Sequence, residues 1–258
     1  MAWWGTFIGG TLGYVFGGPL GALIGAALGG NFDRGIKMGD QIGGGNFNSG
    51  AQERVQAAFF TTTFSVMGHV AKADGRVSPQ EISTAKNIMA QMQLSAEQRK
   101  AAITFFDQGK AADFPLEDVL RQFKQECHRR RNLIQMFIEI QIATALADGK
   151  VDAAEKRILY TIGDILGFAR SQIDHLFNIA NNAEASASDH LTLTQAYKIL
   201  GVNKGSSEAE IKKAYRRLMS QHHPDKLVAK GLPEEMITLA TEKTQEIRKA
   251  YDLIKENL

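Results

Sequence analysis

Apolar residues recur at helical spacing along most of the chain. From Ala51 to about Ala180 they repeat every three or four positions, and strand-like alternation is scarce. The stretch "NLIQMFIEIQIATALA" (132–147) is apolar on nearly every face, which predicts a central helix packed on several sides. The pattern predicts an all-α protein whose largest domain spans 51–180.

Within this block two segments resemble each other: "AKADGRVSPQEISTAKNIM" (71–89) and "ALADGKVDAAEKRILYTIG" (145–163). In each copy a helix ends in Ala-Asp-Gly, whose last two residues favour a turn with positive φ. A cap residue follows, with a glutamate three positions later, which predicts a capping box. These pairs are Ser78 with Glu81 and Asp152 with Glu155.

The acidic residues of the repeat have a second interpretation, which is metal binding. Their spacing fails the calcium-loop pattern of alternating ligands and a distant glutamate. Capping accounts for every polar residue of the repeat, so we predict no metal site. The block resembles the TerB-like helical domain of tellurite-resistance proteins, in which such acidic residues have been linked to metal, and that keeps the second interpretation open.

The N-terminus has no charged side chain from Ala2 to Asn31. A bilayer core needs about 20 apolar helical residues, so this run predicts a transmembrane helix over 1–32. Trp3 and Trp4 suit an interfacial anchor. Basic residues follow the run, which predicts a periplasmic N-terminus, cytoplasmic C-terminal domains and location in the inner membrane. A glycine-rich flexible spacer follows at 33–50.

Glycines recur every fourth residue through this segment. Such spacing lets helix backbones approach closely in lipid, so we predict a homodimer that associates through its transmembrane segment. The alternative is a glycine-rich tail that only anchors the chain. The glycines assigned to association are Gly9, Gly13, Gly17, Gly21 and Gly25.

The C-terminal residues 191–258 follow a small, polar linker at 181–190. Capping boxes at Thr192/Gln195 and Ser207/Glu210 predict two helix starts. The second helix has an apolar side and, opposite it, a basic side that suits an acidic partner surface, although a charged face is more often only solvated. The residues of this basic face are Lys212, Lys213, Arg216 and Arg217.

The sequence "SQHHPDKLVAK" (220–230) ends this helix, because Pro224 disfavours helical geometry at His223. His223 and Asp225 look like catalytic groups, but no nucleophile accompanies them and a turn between two helices offers no pocket. We therefore predict no catalytic residues, no cofactor and an exposed contact turn. A third helix with an apolar stripe should complete a helical hairpin.

Three stretches, "AYKILGV", "EIKKAYRRLMSQHHPDK" and "QEIRKAYDLI", together resemble the J-domain of DnaJ-type co-chaperones. The resemblance implies that His223, Pro224 and Asp225 stimulate ATP hydrolysis by a DnaK-type chaperone. The basic face, with Lys226, would dock on that partner. The chain lacks the Gly/Phe-rich region and zinc repeats of full-length DnaJ, and its one cysteine, Cys127, cannot form zinc sites.

The whole arrangement resembles membrane-anchored DnaJ-like co-chaperones. It implies a regulatory co-chaperone, not an enzyme, with an unidentified client or signalling partner and a link to envelope signalling and capsule synthesis. A net charge of +2 gives no global attraction for nucleic acid. The alternative is a metal- or envelope-stress sensor whose output is the J-domain.

Overall fold

The computed structural model describes residues 17–27, 51–92, 94–146, 149, 151–184 and 191–258. All regular structure in these ranges is helical, which confirms the all-α prediction. A helical segment at 17–27 (α1) is followed by α2 (Ala51–Ala71), α3 (Pro79–Gln91), α4 (Ala96–Gly109), α5 (Leu116–Glu126), α6 (Arg131–Ala145), α7 (Ala153–Leu166), α8 (Arg170–Glu184), α9 (Leu193–Leu200), α10 (Glu208–His222), α11 (Pro224–Val228), a 3-10 turn η1 (Glu234–Met236) and α12 (Ile237–Lys255).

Helices α2–α8 form one bundle, here called the TerB-like block, with α2 and α6 at its centre. Ten side chains of α6 are buried, which confirms the predicted central helix. An aromatic cluster joins α2, α5 and α6, with Phe59 and Phe123 ring centroids 6.0 Å apart and those of Phe123 and Phe137 4.8 Å apart. Cys127 is fully buried beside this cluster, and burial raises the pKa of its thiol to about 12.

The internal repeat folds as its polar residues predict. Both capping boxes, Ser78/Glu81 and Asp152/Glu155, are formed, and Pro79 occupies the first turn of α3. Gly75 and Gly149 have φ of 92° and 81°, the left-handed conformation expected after each preceding helix. Capping therefore accounts for the start of α3 and of α7.

Only 17–27 of the predicted transmembrane segment lies within the described residues; Gly9 and Gly13 lie outside them. Helix α1 packs against the TerB-like block, where the Leu20 amide donates to Gln122 Oε1 (2.9 Å) and Gln122 Nε2 donates to the Gly17 carbonyl (2.7 Å). Among the helices that the structure describes, none is both long and apolar enough to cross a bilayer.

Residues 191–258, here called the J-domain after the resemblance of their sequence, contain a three-helix unit of α9, α10 and α12 with its own core. Tyr215 on α10 stacks on Tyr251 of α12, with ring centroids 4.2 Å apart. The predicted capping boxes at Thr192 and Ser207 are both formed. Helix α8 extends to Glu184, into the stretch whose composition predicts a linker, and the rest of that stretch lies outside the described residues.

The connection between α10 and α12 differs from a simple turn. It contains the short helix α11 and the 3-10 turn η1, neither of which the sequence pattern predicts. Pro224 occupies the first position of α11, where its fixed φ and missing N–H are compatible with a helix start. The proline that ends α10 therefore also begins α11.

Candidate docking surface at the His-Pro-Asp turn

The basic face of α10 is presented to solvent. Lys212, Lys213, Arg216 and Arg217 are all exposed, whereas Ile211 on the opposite side is buried in the J-domain core. None of the ion pairs formed by the described residues involves these four cations. They form a positive surface available to an acidic partner.

The His-Pro-Asp turn lies at the end of this face. His223 (φ −60°, ψ 123°) leaves the helical conformation, and its Nδ1 accepts a hydrogen bond from the Asp225 amide at 3.2 Å. The His223 side chain is 45% exposed and that of Asp225 is 92% exposed. Lys226 Nζ donates to Ser220 Oγ at 2.8 Å, which closes the turn back onto α10.

These distances argue for contact rather than for acid–base chemistry within the chain. His223 Nδ1 and Asp225 Oδ2 are 4.0 Å apart, too far for the hydrogen bond that would orient a general base. The Nδ1 lone pair is already used as the cap of α11. The turn therefore presents an imidazole edge and a free carboxylate to whatever approaches it.

One residue before the turn and one just beyond Lys226 are buried, which the sequence pattern did not predict. His222 is 4% exposed, and its Nδ1 lies 3.6 Å from Glu139 Oε2 on α6. Leu227 is fully buried in the same hydrophobic core as the TerB-like block. One signal was available in the sequence: Leu227, Leu232 and Met236 are large apolar residues in a connection that the J-domain core does not need.

A cleft separates the two domains beside His222. One cavity of about 300 Å³ lies between α8 and α10, with Gln172, His175 and Arg217 on its walls. A second, more apolar cavity of about 220 Å³ lies between α6 and α12, lined by Met136 and Leu239. Glu139, His222 and Lys243 line both cavities. One cation of the basic face therefore also borders the TerB-like block.

The repeat glutamates form a second polar feature, inside the TerB-like block. Glu81 and Glu155 are 7% and 6% exposed, and their carboxyl groups lie close enough to interact. Burial, and to a lesser extent the nearby carboxylates of Asp152 and Glu81, raise the pKa of Glu155 to about 7. Within the described ranges, no three metal-ligating side chains converge; Asp148 lies outside those ranges.

Three stretches of the chain match models of known families. Residues 1–46 match the model for the transmembrane domain of the co-chaperone DjlA, residues 61–178 match the tellurite resistance protein TerB, and residues 195–257 match the DnaJ domain. The precise domain limits stay predictions.

Curated relatives match along the same order of domains. The co-chaperone protein DjlA of Shewanella oneidensis is 46% identical over 99% of this chain and 98% of its own length. DjlA of Photobacterium profundum is 40% identical over 98% of both chains, and DjlA of Coxiella burnetii is 45% identical over 79% of this chain and 78% of its own. No solved structure matches the chain significantly.

Proposed function

The chain belongs to the DjlA family of membrane-anchored co-chaperones, and from this premise we propose that its J-domain stimulates the ATPase of a cytoplasmic DnaK-type chaperone. A J-domain implies a partner of the Hsp70 type, and ATP hydrolysis would take place in that partner. The J-domain would act by binding one conformation of the partner more tightly than another.

One observation carries this proposal: the basic face and the His-Pro-Asp turn are continuous and exposed together. Long-range attraction to four cations orients an acidic partner, and the turn then makes short-range contacts. Burial of the α10 apolar stripe fixes which side faces outward. The assigned contact residues are Lys212, Lys213, Arg216, Arg217, His223, Pro224, Asp225 and Lys226.

A DnaK ATPase assay with the full chain in lipid nanodiscs tests the proposal. We expect the wild type to stimulate single-turnover hydrolysis, and His223→Gln to lose at least about tenfold of the stimulation, equal to about 1.4 kcal/mol of coupling. Thermal unfolding should change little, because the side chain is half exposed and the cap that it supplies belongs to the short helix α11. Ile82→Ala, an exposed site on α3, is the control. Equal stimulation by wild type and His223→Gln would contradict the proposal.

We further propose a homodimer in the inner membrane, with a periplasmic N-terminus and both J-domains in the cytoplasm. The support is the uncharged glycine-periodic segment followed by basic residues. Tethering would confine recruitment of the partner chaperone to the membrane surface. A role in envelope signalling and capsule synthesis, with a client selected by the TerB-like block, belongs to the same proposal.

A second candidate function is sensing by the TerB-like block, with the J-domain as output. The buried Glu81–Glu155 pair favours it, because two buried carboxyl groups close to each other respond to protons or cations. Titration of the intact chain with Mg²⁺, Ca²⁺ or Zn²⁺ would test it. Saturable binding that Glu155→Gln removes would support sensing of that ion, whereas no binding, or binding unaffected by that change, would contradict it.

A further inference from the structure

The TerB-like block contacts the chain on both sides of the His-Pro-Asp turn. The residue before the turn, His222, and the residue two positions after Asp225, Leu227, are both buried, although the turn itself is exposed. The J-domain has a separate core made by α9, α10 and α12, and Leu227 does not belong to it. These neighbours are therefore buried where the two domains meet.

On the N-terminal side of the turn, the contact is polar. Glu139 of α6 approaches His222, and Gln135 Nε2 holds the Glu139 carboxylate by donating to Oε1 at 2.9 Å. Near the start of α6, Asn132 Nδ2 donates to the carbonyl of Gln221 at 3.4 Å. The last turn of α10 is thus tied to α6 through a side chain and a backbone carbonyl.

On the C-terminal side, the contact is apolar and close. Leu227, Leu232 and Met236 are fully buried and join the core of the TerB-like block. Gly231 has φ of 93°, and a Cβ at this position would lie 2.7 Å from Val55 Cγ1 on α2. Only glycine suits both the backbone conformation and this approach.

The apolar contact is transmitted to the turn through α11. This helix places Leu227 in the core, and its N-terminal cap is the His223 ring, which accepts from the Asp225 amide. Moving α11 therefore moves both His223 and Asp225. Because the docked arrangement leaves these side chains and the basic face exposed, the contact presents the turn without covering it.

We propose that the TerB-like block positions the His-Pro-Asp turn for the partner chaperone, with Glu139, Leu227 and Leu232 as positioning residues. The inference rests on the proposed stimulation of a DnaK-type ATPase. It gives the TerB-like block a role within the stimulation step itself, in addition to any client that it selects. Loss of the interdomain contact leaves the basic face intact but releases the turn.

The test separates docking from stimulation in full-length chain in nanodiscs. For Leu232→Ala we expect maximal DnaK stimulation to fall at least about threefold, equal to about 0.7 kcal/mol. The concentration of the chain that gives half-maximal stimulation should stay within about twofold of the wild-type value, because the cations that steer binding are unchanged. Ile82→Ala truncates an exposed apolar side chain on α3 and should leave both values unchanged.

A variant on the TerB-like side leaves the J-domain sequence unaltered. We expect Glu139→Ala to lower maximal stimulation in the same way, and Glu139→Gln, which keeps an acceptor near His222, to restore most of it. Hydrogen exchange should be faster at the amides of Asp225 and Leu227 in both weakened variants. If the J-domain core is intact, exchange in α9 and α12 should stay slow. If Leu232→Ala disrupts that core, the test of the positioning role rests on Glu139→Ala.

The outcomes are distinct. Unchanged maximal stimulation in Glu139→Ala together with faster exchange at the turn would overturn the positioning role. Higher stimulation would overturn it too, since the contact would then restrain the turn. Faster exchange with lower maximal stimulation would support it. If the wild type itself fails to stimulate, the proposed function fails first, independently of the interdomain contact.

Discussion

Glu81 and Glu155 occupy equivalent positions in two capping boxes, and the fold brings their carboxyl groups together. Each uses one oxygen to accept from its cap residue: Glu81 Oε2 from the Ser78 amide at 2.6 Å, and Glu155 Oε2 from the Asp152 amide at 2.9 Å. Burial of two neighbouring carboxyl groups favours a proton on Glu155. A feature that reads as helix capping in the sequence is therefore also a buried acid pair.

This acid pair makes stability depend on pH. Because folding raises the pKa of Glu155 from 4.5 to about 7, the folded state holds this proton more tightly than the unfolded state. Its stabilising contribution is complete below pH 4.5 and is lost as the pH rises through about 7. The free energy of unfolding should fall by on the order of 2 kcal/mol from this source between pH 5 and 8.

Urea unfolding of wild type and Glu155→Gln at pH 5 and pH 8 measures the contribution. Glutamine keeps the capping box but does not titrate, so its variant should lose less stability over this interval. Because the other titrating groups are the same in both proteins, their contributions to the pH dependence cancel in the comparison. An identical pH dependence in both proteins would contradict a raised pKa at Glu155.

Among the elements, α2 and α4 approach so closely that glycine is needed at their contact. A Cβ at Gly109 would lie 1.7 Å from the Ser65 carbonyl oxygen, and one at Gly68 would lie 2.0 Å from the Phe106 carbonyl oxygen. Backbone oxygens cannot move aside as a flexible side chain can. These two glycines therefore set the distance between the helices.

Gly109→Ala should separate the two helices and destabilise the TerB-like block. We expect a loss of about 2–3 kcal/mol in the free energy of unfolding, because overpacking at backbone outweighs the better helix propensity of alanine. Gly205→Ala is the matched control: a Cβ there meets nothing within 4 Å, and the change should stay within about 0.5 kcal/mol. Chemical denaturation at pH 7 measures both, and equal effects would refute the packing argument.

Across the whole molecule, the J-domain and the TerB-like block share apolar core. Full burial of a leucine or methionine side chain stabilises by about 1.5–3 kcal/mol, so Leu227, Leu232 and Met236 together favour a fixed relation between the domains. For this reason the ATPase assays use the intact chain, in which these three side chains belong to the core of the TerB-like block. The J-domain is therefore packed against the TerB-like block and is not connected to it by the linker alone.

Assembly in the membrane should depend on the glycine period. Replacing Gly13, Gly17 and Gly21 together with leucine should weaken self-association by at least about tenfold, because larger side chains hold helix backbones apart. Fluorescence energy transfer between labelled chains in vesicles measures this. Thr11→Leu with Val15→Leu adds bulk off the glycine period and should leave association unchanged. Undiminished transfer in the glycine variant would leave this segment only a tethering role.

The sequence by itself determined the features that depend on local physics. Helical periodicity, glycine at positive φ and cap residues three positions from Glu or Gln specify the helices and their ends, and all four predicted capping boxes are formed. The sequence also predicts the turn at His223, because Pro224 disfavours helical geometry in the residue before it. The sidedness of α10 followed from its apolar spacing.

Only the tertiary structure decided which surfaces meet. Nothing in the spacing of Leu227, Leu232 and Met236 reveals that their partner is the TerB-like block, because burial depends on residues far away in the chain. The sequence likewise does not reveal that His222 lies beside Glu139, or that Glu81 lies near Glu155. Local pattern fixes which way a side chain points, whereas packing decides what it touches, and for the His-Pro-Asp turn that contact determines how the turn is held.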